Sequence, residues 1–206
     1  MVQRIYRFRD GKELTIGGRT LVMGILNVTP DSFSDGGRWN TRDAALRHME
    51  EMVQDGADII DVGAESSRPG FVPMGAAEET ERLLPFLETV LQECPVPVSV
   101  DTFKAETVRA ALRAGAHMLN DIWGLQYAEE PGAMARVAAE ADVPVVVMHN
   151  QHGTVYDVNI IDEIRAFFAR SFAIADDVGL SREKIILDPG IGFGKTAEQN
   201  EIEDVR

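Results

Sequence analysis

Only one cysteine, Cys94, occurs in the sequence. No disulfide can therefore form within the chain, which fits a reducing compartment. No His–Asn signature surrounds it, so it reads as a core thiol and not as a nucleophile. No run approaches the ~18 consecutive apolar residues of a membrane span. The N-terminal MVQRIYRFRDGKEL lacks the apolar core of a signal peptide. A cytoplasmic protein with no membrane partner is expected. Positive charge is scarce too: 20 Lys and Arg stand against 34 Asp and Glu, a net charge of −14. That excludes a basic nucleic-acid-binding face. An anionic ligand would have to be held by local devices: a metal ion, a helix N-terminus or one well-placed Arg. Low-complexity stretches and linkers are absent as well, so residues 1–206 read as a single domain.

What is present is a rhythm. Residues 4–20 alternate apolar and polar about Asp10-Gly11, a hairpin signal. Six short apolar runs follow, at 21–27, 57–62, 96–101, 116–121, 143–149 and 184–189. Runs of this kind suit strands buried on both faces. Helical patterns fill the gaps at 42–55, 77–93, 104–114, 133–141 and 160–178, with Pro85 as a potential bend in the second. Strict β–α alternation implies parallel strands with right-handed crossovers. Two α/β architectures remain open: a doubly wound sheet and a (β/α)8 barrel, for which six strands are two too few.

The strand ends share a chemistry. They are Asn27, Asp61, Asp101, Asn120-Asp121, His149-Asn150 and Asp188. In a parallel sheet these ends lie on one rim, and in a barrel that rim binds ligands. One such residue alone would only cap a loop. Six together suggest a ligand ring. Carboxylates accept hydrogen bonds and carboxamides do both. The ring therefore suits a neutral heterocycle with several N–H donors on one edge, such as guanine or pterin. A divalent metal is another candidate.

The segment 188–196, DPGIGFGKT, resembles a phosphate loop but has three residues, not four, between Gly190 and Gly194. The dinucleotide pattern G-x-G-x-x-G fails as well. Its glycines more plainly allow backbone to pass under a flat ligand. His149 and His152 lie in a loop, which does not favour a metal site. The long loop GAESSRPGFVPMG (63–75) carries Arg68, which can meet an anionic group.

NVTPDSFSDGG, GAESSRPG, VDTFK, LNDIWG, VMHNQHG and LDPGIGFGK follow one another in the order and spacing of the dihydropteroate synthases. The resemblance covers the chain to about Asn200, and its first two segments are highly specific. It implies a (β/α)8 barrel of the pterin-binding type, preceded here by a β-hairpin. It implies a Mg2+-assisted transferase of folate biosynthesis, a sulfonamide target. That enzyme condenses 6-hydroxymethyl-7,8-dihydropterin pyrophosphate with p-aminobenzoate and releases pyrophosphate by a dissociative route. On this chain Asp101, Asn120 and Asp188 resemble the binders of the pterin edge, and Phe193 the aromatic of the pterin region. Asn27 resembles the residue that helps hold Mg2+–pyrophosphate. Phe33, Ser67, Arg68 and Pro69 resemble the p-aminobenzoate pocket, with Ser where Thr is commoner at position 67. Asp35 is the expected stabiliser of the cationic intermediate, and Arg68 is grouped with it as catalytic.

The family continues through two further strands, which carry a Ser-Arg-Lys-type segment and an Arg-x-His. Neither has a counterpart here. The sequence is thus expected to be C-terminally truncated as given: a fragment, a frame broken near residue 200, or a chain whose barrel a partner completes. A homodimer is implied by the family, but through last helices that this sequence lacks. A pterin-binding module of a methyltetrahydrofolate–corrinoid methyltransferase would share the barrel, yet would not need NVTPDSFSDGG. A catalytically inactive remnant is the other alternative.

Overall fold

A computed structural model describes residues 3–28, 38–65 and 74–204. Two antiparallel strands come first, β1 (Arg4–Arg7) and β2 (Glu13–Ile16). They turn at Asp10-Gly11, as the alternation predicts. Six parallel strands follow: β3 (Met23–Asn27), β4 (Ile59–Gly63), β5 (Val98–Asp101), β6 (Met118–Asp121), β7 (Val145–Met148) and β8 (Ile185–Asp188). Between them run α1 (Arg38–Gln54), α2 (Ala76–Glu93), α3 (Ala105–Ala114), α4 (Ala133–Ala141) and α5 (Ile160–Asp177). The hydrogen-bonded order is β3-β4-β5-β6-β7-β8.

That order decides between the two architectures. A doubly wound sheet reverses direction at a switch point, so its strand order departs from chain order. Here every crossover advances by one strand, as in a (β/α)8 barrel followed from its first strand to its sixth. Among the described residues β3 and β8 end the series. Their middle residues Ile25 and Leu187 are 60% and 44% exposed, whereas all of β4 and β7 is buried.

The chain divides into two compact units, residues 1–119 and 120–206. In the first, Leu26, Ile60, Val62, Val98 and Val100 of the strands pack with Met49 of α1 and Leu83, Leu87 and Val90 of α2. Each such side chain contributes about 1.5–3 kcal/mol when fully buried. Helix α2 runs through Pro85 as one element. The hairpin is tied down at Asp10, which meets Nε2 of buried His117 at 2.9 Å while Nδ1 of that ring accepts from the Val98 amide. An acceptor at Nδ1 makes Nε2 the donor. Burial alone would raise the Asp10 pKa. Hydrogen bonds from Lys12 and His117 outweigh it and hold the carboxyl well below the usual carboxylate range.

In the second unit Met134, Ala135 and Ala138 of α4, Ile164, Phe167 and Ala175 of α5, and Val145 and Val147 are buried. Asn159 caps α5 by accepting from the Ile161 amide. One helix was not expected from the sequence, α6 (Ala197–Asp204). It lacks a regular apolar stripe, but it opens on a capping box: Thr196 Oγ1 accepts from the Gln199 amide and Gln199 Oε1 accepts from the Thr196 amide. Among the described residues no helix is long and apolar enough to cross a membrane. Cys94 is buried and its Sγ lies 3.4 Å from the Val96 carbonyl. Burial raises its pKa, which keeps the thiol protonated and inert.

Candidate active site

In the first unit the ends of three strands lie side by side. Asn27 is in register with Gly63, and Gly63 with Asp101. Residues in register on neighbouring strands project to the same face of a sheet. The clearances agree: a Cβ placed on Gly63 would lie 3.3 Å from Asp101 Oδ2 and 3.5 Å from Asn27 Oδ1. A carboxamide and a carboxylate therefore flank a strip of bare backbone. Two residues deeper, Ile25, Asp61 and Ser99 form the next row, with Asp61 and Ser99 buried.

The carboxamide oxygen of Asn27 is a hard donor that fits Mg2+, which takes one or two protein oxygens and fills its shell with water and substrate phosphate. Among the described residues no group of three or more His, Cys, Asp or Glu could cage a metal by itself.

Beyond the ends of β4 and β5 lies a buried charge cluster that sequence reasoning missed. Lys104 is paired with both Glu65 and Glu79, the latter at 3.1 Å. All three are under one-tenth exposed. Glu79 also accepts from Thr107 Oγ1 at 3.0 Å, and Glu65 Oε1 accepts from the Met74 amide at 3.1 Å. Glu65, two residues past β4, is thus tied to Met74, two residues before α2. The available signal was a charge set among small or apolar residues just past a strand end, as in GAE and DTFK.

In the second unit the strand-end residues divide by role. Asn120 is half-buried at the end of β6. Asp121, next to it, is spent on the backbone, accepting from Trp123 N at 2.9 Å and Leu125 N at 2.7 Å. Burial pushes its pKa up to about 6, against the pull of these amides. It fixes the turn after β6. Asp188 accepts from the Gly190 amide through Oδ1 at 2.8 Å, which shapes its own turn. Phe193 is half-buried, and its amide donates to the Gly190 carbonyl at 3.0 Å. The two histidines have different neighbours: His149 packs edge-on to Phe167, and His152 against Trp123. Burial, with the Lys195 charge second, lowers the His149 pKa to about 4, so the ring is neutral.

Asn27, Asp101 and Asp188 thus each end a parallel strand, Asn120 is the penultimate residue of β6, and Phe193 lies in the turn after β8. Phe33, Asp35, Ser67, Arg68 and Pro69 lie outside the described residues.

Residues 23–202 match a family model described as pterin binding enzyme. A dihydropteroate synthase of Clostridium beijerinckii is 49% identical over 189 residues, which is 92% of this chain and 69% of the relative. A solved dihydropteroate synthase from Clostridium difficile, in the presence of pteroic acid, superposes with a TM-score of 0.84 at 47% identity. It covers 92% of this chain, which spans 74% of it. The Xanthomonas albilineans dihydropteroate synthase with 4-aminobenzoic acid gives a TM-score of 0.85 at 40% identity, covering 94% of this chain and 69% of its own. The chain thus spans about two thirds of the length of its curated relatives.

Proposed function

The chain belongs to the pterin-binding enzyme family, within it to the dihydropteroate synthases, and on that premise we propose the work of its residues. The substrate would be 6-hydroxymethyl-7,8-dihydropterin pyrophosphate, and the acceptor p-aminobenzoate. The bond between the exocyclic methylene and the ester oxygen breaks, and pyrophosphate leaves with the electron pair. The arylamine nitrogen then attacks the methylene cation and loses a proton, giving 7,8-dihydropteroate.

Asp101 and Asp188 accept from the amino and ring N–H groups of the pterin edge, and Asn120 supplies both a donor and an acceptor. Bonds of this kind to ionised oxygens are about twice as strong as neutral ones. Phe193 offers a flat apolar surface to the ring. Asn27 would hold Mg2+ at the pyrophosphate, where the ion supplies charge neutralisation of the leaving group. Asp35 stabilises the cation by a fixed negative charge. Phe33, Ser67, Arg68 and Pro69 hold p-aminobenzoate, with Arg68 toward its carboxylate. The work is done in the cytoplasm, by residues 1–206 as one pterin-binding domain.

The observation that supports this reading is the Asn27–Gly63–Asp101 row, with side-chain oxygens of Asn27 and Asp101 on the two sides of the Gly63 backbone. The test is an assay of purified residues 1–206 for dihydropteroate with Mg2+ and both substrates. Product formation supports the transferase. Pterin binding without product favours an inactive remnant, and failure to bind any pterin overturns the proposal.

A further inference from the structure

Gly194-Lys195-Thr196 looks, in sequence, like the end of a phosphate loop. The geometry gives its lysine another task. Lys195 is 8% exposed. Its Nζ donates to the Gly190 carbonyl at 2.9 Å and to the Phe193 carbonyl at 3.0 Å. Both acceptors belong to the turn that begins at Asp188. That turn is closed at its start by Asp188 Oδ1 on the Gly190 amide, and in the middle by the Phe193 amide on the Gly190 carbonyl. Its far side is held by the Tyr156 hydroxyl, which donates to the Gly194 carbonyl at 2.6 Å. Gly190 sits at φ +74°, and a Cβ there would run into the His149 carbonyl and lie 3.2 Å from Lys195 Nζ. The ammonium is packed inside the turn.

We propose that Lys195 is a positioning residue that clamps the 188–195 turn so that Asp188 and Phe193 are presented to the pterin, and that it is not a phosphate ligand. The proposal rests on the pterin reading given above. An ammonium has three hydrogens, and two of them are aimed at carbonyls of the turn itself. A lysine that cradles phosphates must instead extend toward the ligand.

The two roles separate by ligand. Lys195→Met is to be titrated with 6-hydroxymethylpterin, which has no phosphate, and with its pyrophosphate ester. A clamp predicts that both weaken by the same factor, about tenfold or more, as for a lost charged hydrogen-bond set. In the folded variant the Gly190 and Phe193 amide resonances move, while those of Val98–Asp101 stay. Loss confined to the ester overturns the proposal, as does unchanged binding of both. If the variant fails to fold, the wild type decides through its 15N-labelled lysine ammonium resonances. A clamped Lys195 exchanges slowly and is not shifted by inorganic pyrophosphate, whereas a shift on titration overturns it. Wild type that binds no pterin sinks the functional reading alone, because the ammonium measurement still decides the clamp.

Discussion

The two compact units fix their strand ends by different means. In residues 1–119 buried charges satisfy one another: Lys104 lies between Glu65 and Glu79. In residues 120–206 buried charges are spent on backbone: Asp121 on the amides of its turn, Lys195 on the carbonyls of its own. The first arrangement ties together segments far apart in sequence and depends on every member. The second shapes one local turn at a time. A charge pair fails when either partner is lost, while a backbone cap fails only with its own side chain.

The largest test removes the shared cation. Lys104→Met leaves two buried carboxylates facing each other without compensation, and a loss of about 3–5 kcal/mol is expected. Urea unfolding measures it, and a loss below that of an ordinary surface substitution would erase the contrast between the units. Next in size is Asp188→Asn. Its Oδ1 can still accept from Gly190, so the turn survives, but the ionised edge is lost. Pterin affinity should fall by about 1.5–3 kcal/mol with unchanged thermal stability, by calorimetry and melting.

The pH dependence is smaller and opposite in sign for the two units. The Asp121 pKa is raised to about 6 in the folded state, from an unfolded value of about 3.9. Folding therefore favours its protonated form. The stability it contributes is full below pH ~4 and is lost as pH rises through about 6. Asp121→Asn should flatten that part of the stability profile. Asp10 is lowered, so its contribution is present above the unfolded value and is lost as pH falls through the folded one. Its side chain is 40% exposed, so Asp10→Asn should have the smallest effect of the four, seen only as a shallower acid limb in chemical denaturation.

The sequence made the strands and most helices legible because they are short, apolar and regularly spaced. The hairpin was readable from Asp10-Gly11, and the barrel alternative from strict alternation. The choice between barrel and doubly wound sheet was not, because strand order is a property of pairing and leaves no local mark. Helix α6 has no apolar stripe to make it legible, and its only local mark is the cap formed by Thr196 and Gln199. At the site, the residue types at the strand ends were right in kind, but type does not reveal allegiance. Asn120 and Asp121 are neighbours of similar shape, yet Asp121 belongs to the turn. Glu65 and Lys104 are 39 positions apart, and nothing in either segment names the other. Lys195 resembled part of a motif because its neighbours are glycines, which serve a tight turn as well as a phosphate cradle.

Gly63 has a consequence for tolerance. Its backbone does not need a glycine, so alanine would be accepted by the fold. The added methyl would nonetheless press on Asp101 from 3.3 Å and move its carboxylate by a few tenths of an ångström. Productive sites hold their groups to within about 0.5 Å. A single hydrogen atom at position 63 thus acts as an alignment pin, setting a dimension that the rest of the strand would not register.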